Sequence, residues 1–261
     1  MRKDTREGDS VITGMPHIPA LLLVGAEDSG LDRTNQAYRA IRRQLIDLTL
    51  SPGSSFTETS LARQWDISKT PVREALARLR RDGLVAALPR AGYVVRPITL
   101  QDTDDLCGLR TLLSGEAASE AARRGVDGPA LERLEVLAQV HFALAAGRVG
   151  QEEALRASIE FEAIIANSGG NTRLAKAIVD VLDELERVLR MAALIAPDAA
   201  SPPGELAAVF EGLRARDVAA THGAMRSRCE RVHRDVLRVL ARSASVNRAP
   251  IEMPTSPLPL L

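Results

Sequence analysis

The segment SKTPVREALARLRRDGLV, at residues 68–85, constrains the fold of this chain more than any other. Its apolar residues recur at i, i+3, i+4 and i+7, the spacing of one buried helix face. They are Val72, Ala75, Leu76 and Leu79. We expect Thr70 to cap this helix and Pro71 to take its first position, where a missing N–H costs nothing. The segment therefore predicts a short helix that packs through one face.

Basic residues occupy the rest of that helix surface. They lie off the apolar stripe, so solvent or a partner contacts them: Lys69, Arg73, Arg78, Arg80 and Arg81. A short helix with a buried stripe and a positive, donor-rich N-terminus has the shape needed to enter the major groove of DNA. An ordinary solvated basic face is the alternative interpretation of the same residues.

The flanking sequence predicts a winged helix-turn-helix domain over residues 31–98. A first helix is predicted over residues 35–50, and a second, short helix follows Thr57, which serves as its cap. Only a tight turn then precedes the basic helix, which is typical of a helix-turn-helix. The predicted wing consists of two strands and the hairpin tip between them, at residues 84–87, 93–96 and 89–92.

The hydrophobic pattern after Thr99 is helical throughout, which predicts an all-α domain over residues 99–243. Its short breaks favour a six-helix antiparallel bundle with room for a ligand between helices. The six helices are predicted at residues 99–125, 129–146, 151–168, 171–195, 205–214 and 217–242. Residues 1–30 and 244–261 show no sustained period, so we expect a disordered extension and a disordered tail. The predicted fold class is mainly α.

Charge separates these two parts of the chain although the formal net charge is zero. Residues 31–98 contain 12 Lys or Arg and 6 Asp or Glu, a difference of +6. Residues 99–261 contain 19 and 23, a difference of −4, and residues 1–30 contain 3 and 5, a difference of −2. A basic segment joined to a mildly acidic one indicates a polyanion-binding module attached to a domain with another task.

Several classes of protein are disfavoured by what the sequence lacks. No apolar run approaches the length of a membrane span, and Cys107 and Cys229 stand alone without paired spacing. These features favour a reduced, cytoplasmic protein without a membrane partner. We find no Gly-rich phosphate loop, nucleophile elbow, metal-ligand cluster or Ser-His-Asp set. The sequence therefore predicts no enzyme and no cofactor.

Residues 34–242 resemble the GntR family of bacterial transcriptional regulators, in its FadR-like (FCD) branch. The segment PGSSFTETSLARQWDISKTPVREALARLRRDGLVAALPRAGYVV is similar to the winged-helix pattern of that family. In the helical part, the resemblance rests on Arg110, on FEAIIANSGGN at residues 161–171 and on LRARDVAATHGAM at residues 213–225. It implies a homodimer, with dimerisation through the bundle, that binds double-stranded DNA at an inverted repeat and a small-molecule effector in the bundle.

The resemblance also implies which residues contact DNA. They are Thr59 on the second helix, Ser68, Lys69, Thr70 and Arg73 on the recognition helix, and Arg90 and Gly92 at the wing tip. Arginine offers paired donors to guanine, lysine makes a less directional contact, and hydroxyls suit phosphates. The family more often has arginine at the position of Lys69.

The bundle departs from the family pattern at its metal site. Many members of this branch bind a divalent metal through an Asp and a His on one helix and two His on the final helix pair. The matching positions here are Ser158, Glu162, Leu206 and Arg228, which predicts that no metal binds there. We expect Arg228 to replace the cation with Glu162 as its partner. An effector carboxylate or phosphate would compete for Arg228, with Arg110 as a second donor.

We therefore expect a sequence-specific regulator, more specifically a repressor, that responds to an organic acid held by Arg110, Ser158, Glu162, Leu206 and Arg228. The alternatives are an activator, a metal-independent regulator of the acyl-CoA type and, from another class, an architectural DNA-binding protein. For Glu162 and Arg228, a purely structural ion pair remains open beside the effector site.

Overall fold

The N-terminal part of the fold is a three-helix winged unit. The computed structural model describes residues 32–196 and 204–242, so the predicted disordered ends lie outside the described residues. The elements of this unit are α1 (Arg33–Ile46), β1 (Ser55–Phe56), α2 (Glu58–Gln64), α3 (Lys69–Arg81), β2 (Val85–Leu88) and β3 (Gly92–Val95). The predicted apolar stripe of α3 is fully buried against α1 and α2. The winged helix-turn-helix prediction is confirmed.

The start of α3 differs from the prediction. The N-cap is Ser68, whose side chain makes no capping hydrogen bond, and the helix begins at Lys69. The prediction that Thr70 caps the helix is therefore wrong. Pro71 is the third helical residue, where an N–H still lacks an intrahelical acceptor, so proline is tolerated. By contrast, Thr57 caps α2 as expected, by accepting a hydrogen bond from the Ser60 backbone.

A three-stranded antiparallel sheet in the order β1-β3-β2 forms the wing. Strand β3 pairs with β2 over four residues and with β1 over two. Strand β1 was not predicted, because two residues are too short to show a period. Gly92 has φ +101°, and a Cβ there would lie 2.4 Å from the Phe56 carbonyl oxygen. The close approach of β1 and β3 therefore requires glycine at this position.

The C-terminal part is an all-α bundle. Its helices in the described residues are α4 (Leu100–Arg124), α5 (Gly128–Ala138), α6 (Val140–Ala145), α7 (Gln151–Ser168), α8 (Thr172–Ile195), α9 (Glu205–Ala215) and α10 (Val218–Leu240). The predicted helix at residues 129–146 is divided at Gln139 into α5 and the short α6. The expected six helices are thus seven in the described part of the bundle, and His141 on α6 is buried.

Helix α8 joins the two parts. Leu48 and Ile98, from the winged unit and the segment after it, pack into one apolar cluster with residues of α8 and α10. Arg42 on α1 forms an ion pair with Asp183 on α8, with Nη2 and Oδ2 3.2 Å apart. Arg187 on α8 donates to the backbone carbonyl of Arg96. Apolar packing and polar contacts therefore both connect the bundle to the winged unit.

Candidate functional site: a basic surface and a buried ionic cluster

The N-terminus of α3 presents the predicted recognition residues to solvent. Ser68, Lys69, Thr70 and Arg73 are all exposed, and so is Thr59 on α2. An exposed helix N-terminus offers free backbone N–H groups in addition to these side chains, and both suit phosphate oxygens.

Glu58 connects the three elements of this surface. Its carboxylate accepts a hydrogen bond from Arg73 Nε at 3.1 Å and from the Tyr93 hydroxyl at 3.3 Å. The first bond and the charge of Glu58 raise the pKa of the Arg73 guanidinium. Helix α2, helix α3 and the wing strand β3 thus meet at one carboxylate. From the sequence alone, Glu58 could be placed only in the first turn of α2, because its partners are distant along the chain.

The wing tip is also exposed. Arg90 protrudes there with φ 62°, in the left-handed region, and Gly92 begins strand β3. The requirement for glycine at 92 comes from the neighbouring strand β1, so it needs no DNA to explain it. A DNA-contact role for Gly92 and for the other predicted residues stays a prediction.

Arg78 differs from the expectation that the whole basic set faces outward. It is half-buried, with its guanidinium 4.0 Å from the centre of the Tyr38 ring. It also donates to Asn35 Oδ1 at 2.6 Å. Arg78 therefore helps to fasten α3 to α1, whereas Arg80 and Arg81 remain exposed.

The second site is a cluster of buried charges inside the bundle. Glu162 on α7 accepts two hydrogen bonds from Arg110 on α4, at 3.0 Å from Nε and 2.6 Å from Nη2. Ser114, one turn further along α4, donates to the same carboxylate at 2.6 Å. Arg228 on α10 lies 3.3 Å from it through Nη1. The predicted partnership of Glu162 and Arg228 exists, but Arg110 is the closer partner.

Burial and the neighbouring charges together shift the pKa values of the three ionisable groups in this cluster. Burial alone would raise the pKa of Glu162, but Arg110, Arg228 and the Ser114 hydrogen bond lower it to about 2. Glu162 raises the pKa of Arg110 despite burial. The pKa of Arg228 is lowered by burial and by the charge of Arg110, although a guanidinium remains a cation at any physiological pH. The carboxylate is therefore ionised and so are both arginines.

The cluster is not neutral. Two guanidinium groups face one carboxylate, which leaves one positive charge without a counter-charge inside the cluster. Nε of Arg228 is buried and has no hydrogen-bond partner among the described residues. An unpaired buried charge is costly, so this position favours an additional anion or acceptor.

The other two predicted effector residues lie beside this cluster. Ser158, one turn before Glu162 on α7, lies 2.9 Å from Nε2 of His141 through its hydroxyl. Leu206 on α9 is fully buried in the main apolar cluster of the bundle. Ser114 and His141 were missed by sequence reasoning. Ser114 could have been found from its spacing of four residues from Arg110 on one helix face, but nothing in the sequence marks His141.

The family's divalent metal does not fit the donors present. Glu162 has both carboxylate oxygens engaged, Leu206 offers no ligand, and Arg228 places a fixed positive charge at the position. Across residues 32–196 and 204–242, no group of three or more His, Cys, Asp or Glu side chains could hold a metal ion. The cluster therefore presents hydrogen-bond donors and an excess positive charge where the family pattern has metal ligands.

Comparison with known proteins agrees with both halves of the fold. Residues 33–95 match the model of the bacterial regulatory proteins of the gntR family, and residues 105–231 match the FCD domain. A transcriptional repressor of Escherichia coli K12, RspR, is 23% identical over 208 residues, which are 78% of this chain and 89% of the relative. An HTH-type transcriptional regulator of Agrobacterium vitis is 37% identical over 111 residues, or 42% of this chain.

The match spans only 64% of the length of the Agrobacterium vitis relative. A solved GntR structure from Rhodococcus sp. RHA1 has a TM-score of 0.65 at 21% identity and covers 79% of this chain and 98% of its own. No helix within the described ranges combines the length and the apolar character needed to cross a bilayer. From the winged unit, the bundle and these matches, the chain belongs to the GntR family of bacterial regulatory proteins and carries an FCD domain.

Proposed function

We propose that this chain is a transcriptional regulator that binds an inverted-repeat DNA site through its winged unit and an organic anion in its bundle. The observation that carries the proposal is the buried cluster of Arg110, Glu162 and Arg228, with its excess positive charge and its unpartnered Arg228 Nε. A protein that only compacted DNA would have no need of an interior anion site connected to its DNA-binding unit.

The DNA-binding half of the proposal rests on the exposed surface around Arg73. Arg73 would exchange Glu58 for a guanine edge or a phosphate, with Lys69 and Thr70 beside it and Arg90 at the wing. Selection from a random duplex library, followed by footprinting, should recover an inverted repeat. Recovery of no preferred sequence would favour the architectural alternative.

The Arg73→Ala variant tests whether this surface binds DNA. Loss of one good arginine contact should weaken binding to the selected site by about tenfold or more. Arg148→Ala is the matched control, because Arg148 is exposed in the turn before α7, far along the chain from the winged unit. Equal affinity of the Arg73→Ala variant and the wild type would contradict the assignment of this surface.

The effector half of the proposal assigns the anion to Arg228. A carboxylate oxygen that accepts from Arg228 Nε would satisfy the orphaned donor and balance the excess charge without displacing Arg110 from Glu162. A screen of small organic acids by thermal shift should find stabilising compounds. Arg228→Met should abolish this stabilisation and the release of DNA by the acid, while binding to DNA alone is retained.

Two controls separate this proposal from its alternatives. A chelator should leave the melting temperature unchanged, because the donors present do not fit a metal. An acyl-CoA that stabilises the protein while free acids do not would favour the acyl-CoA alternative. If Arg228→Met responds to acids like the wild type, Glu162 and Arg228 are a structural ion pair only.

We further propose that the regulator is a repressor that acts as a homodimer. The related RspR is named a repressor, and an inverted repeat requires two winged units. On one face of α4, Leu109 and Leu112 are 46% and 69% exposed and offer an apolar surface for a second copy. Deletion of the gene should raise expression from the bound promoter in a reporter assay, whereas a fall would indicate an activator. Leu112→Asp should lower the mass measured by light scattering to that of one chain.

A further inference from the structure

His141 on the short helix α6 is a buried polar residue that the ionic cluster does not use. It is only 4% exposed, and its Nε2 lies 2.9 Å from Ser158 Oγ. Its Nδ1 is buried and has no hydrogen-bond partner among the described residues. A buried ring nitrogen without a partner is uncommon in native proteins and calls for an explanation.

Burial, together with the neighbouring positive charges, keeps the ring of His141 neutral. Burial lowers its pKa to about 4, and the nearby Arg228 and Arg231 act in the same direction. Arg231 is held by Glu205 and Asp235, so it is already paired. The neutral ring carries one proton. If Nε2–H donates to Ser158, Nδ1 is left as an acceptor, and the neighbouring guanidinium groups favour an unprotonated nitrogen.

The residues that carry the two orphaned atoms contact neighbouring positions of α7. Ser158 and Glu162 stand four residues apart on α7, which places them on the same helix face. Ser158 contacts His141, and Glu162 contacts Arg228. An unused donor, Arg228 Nε, and an unused ring nitrogen, His141 Nδ1, therefore belong to residues packed on the same face of α7.

We propose that His141 is a specificity-determining residue that accepts a hydrogen bond from a hydroxyl group beside the effector carboxylate. This inference rests on the proposed anion site at Arg228. The carboxylate accepts from Arg228 Nε, and the adjacent hydroxyl donates to His141 Nδ1. The site prefers a 2-hydroxy acid to the unsubstituted acid of the same chain length, because the latter leaves Nδ1 without a partner.

The test compares matched acids on the full chain at pH 7.5 and constant ionic strength. The probes are acetate against glycolate and propionate against each enantiomer of lactate, with affinity taken from thermal-shift titrations. In the wild type, the hydroxy acid should bind about tenfold more tightly than its parent in at least one pair. His141→Leu should remove this preference but keep binding of the parent acid. The control is His222→Leu, which changes a half-buried histidine of α10. This variant should keep the preference for the hydroxy acid.

The outcomes separate this inference from the proposed function. If all acids stabilise the wild type equally and Arg228→Met abolishes the effect, the anion site stands and the role of His141 is overturned. If no acid stabilises the wild type, both the proposed anion site and the role of His141 are overturned. A nitrogen–proton correlation spectrum of the wild type gives an answer even if His141→Leu does not fold. The proton should be on Nε2, and a proton on Nδ1 would overturn the acceptor role.

Discussion

Two arginine–glutamate systems of this protein use the same chemistry in opposite surroundings. On the winged unit, Arg73 is 66% and Glu58 20% exposed at the side chain. Inside the bundle, Arg110 is 4% and Glu162 1% exposed. At the surface, water can replace either partner, so the pair can open when a phosphate or a base arrives. In the interior, no water replaces a lost partner, so the cluster holds its members and favours an added anion.

Breaking the buried cluster should have the largest effect on stability. Glu162→Gln would leave two buried guanidinium groups without a carboxylate, and we expect the free energy of unfolding to fall by about 3–5 kcal/mol. Urea denaturation measures the change. The control is Glu160→Gln, two residues earlier on α7, which breaks a partly exposed pair with Arg133 and should cost less than about 1 kcal/mol. Similar losses in both variants would contradict the distinction between the two environments.

The free energy of unfolding should depend on pH because the buried groups His141 and Glu162 have shifted pKa values. Because burial lowers the pKa of His141 to about 4, the unfolded chain takes up the proton first, and stability falls as pH drops from about 6.5 towards 4. This contribution is up to about 3 kcal/mol. The lowered pKa of Glu162 adds a further loss as pH falls from about 4.5 towards 2. Denaturation of His141→Gln should show a shallower slope between pH 7 and 4, and parallel curves would refute the assignment.

The ion pair between the two parts of the fold provides an intermediate case. At the side chain, Arg42 is 8% and Asp183 25% exposed. Arg42→Met should therefore cost about 1–2 kcal/mol, between the buried and the exposed pairs. Because the pair joins α1 to α8, thermal unfolding followed by calorimetry should also broaden or divide into two transitions. A cost above that of Glu162→Gln would break the relation between exposure and effect.

The sequence predicted the elements better than it predicted the interior contacts. The stripe of α3, the cap at Thr57 and the helix 151–168 are local patterns, and the structure contains all three. The partnership of Glu162 and Arg228 could be predicted from aligned positions. The two shorter hydrogen bonds from Arg110 to Glu162 could not be predicted, because they depend on how α4 and α7 pack. His141 carries no periodic signal, and its contact with Ser158 depends on how α6 packs against α7.

The smallest effect on stability, and the most informative one for DNA, should come from the exposed pair. Glu58→Gln should change the free energy of unfolding by less than about 1 kcal/mol, because Arg73 remains solvated. Removal of a negative charge beside the α3 N-terminus should raise affinity for unrelated DNA about threefold. The ratio of specific to unrelated binding should fall, because Arg73 loses the carboxylate that orients it.

The matched control for this last prediction is Glu74→Gln. Glu74 is exposed on α3 and accepts a hydrogen bond from Thr34, so Glu74→Gln removes an equal negative charge from the helix that carries Arg73, without freeing Arg73. Both variants should raise the affinity for unrelated DNA, but only Glu58→Gln should lower the specificity ratio in competition assays. An equal ratio in the two variants would mean that Glu58 contributes charge alone, and that the surface pair does not position Arg73 before DNA arrives.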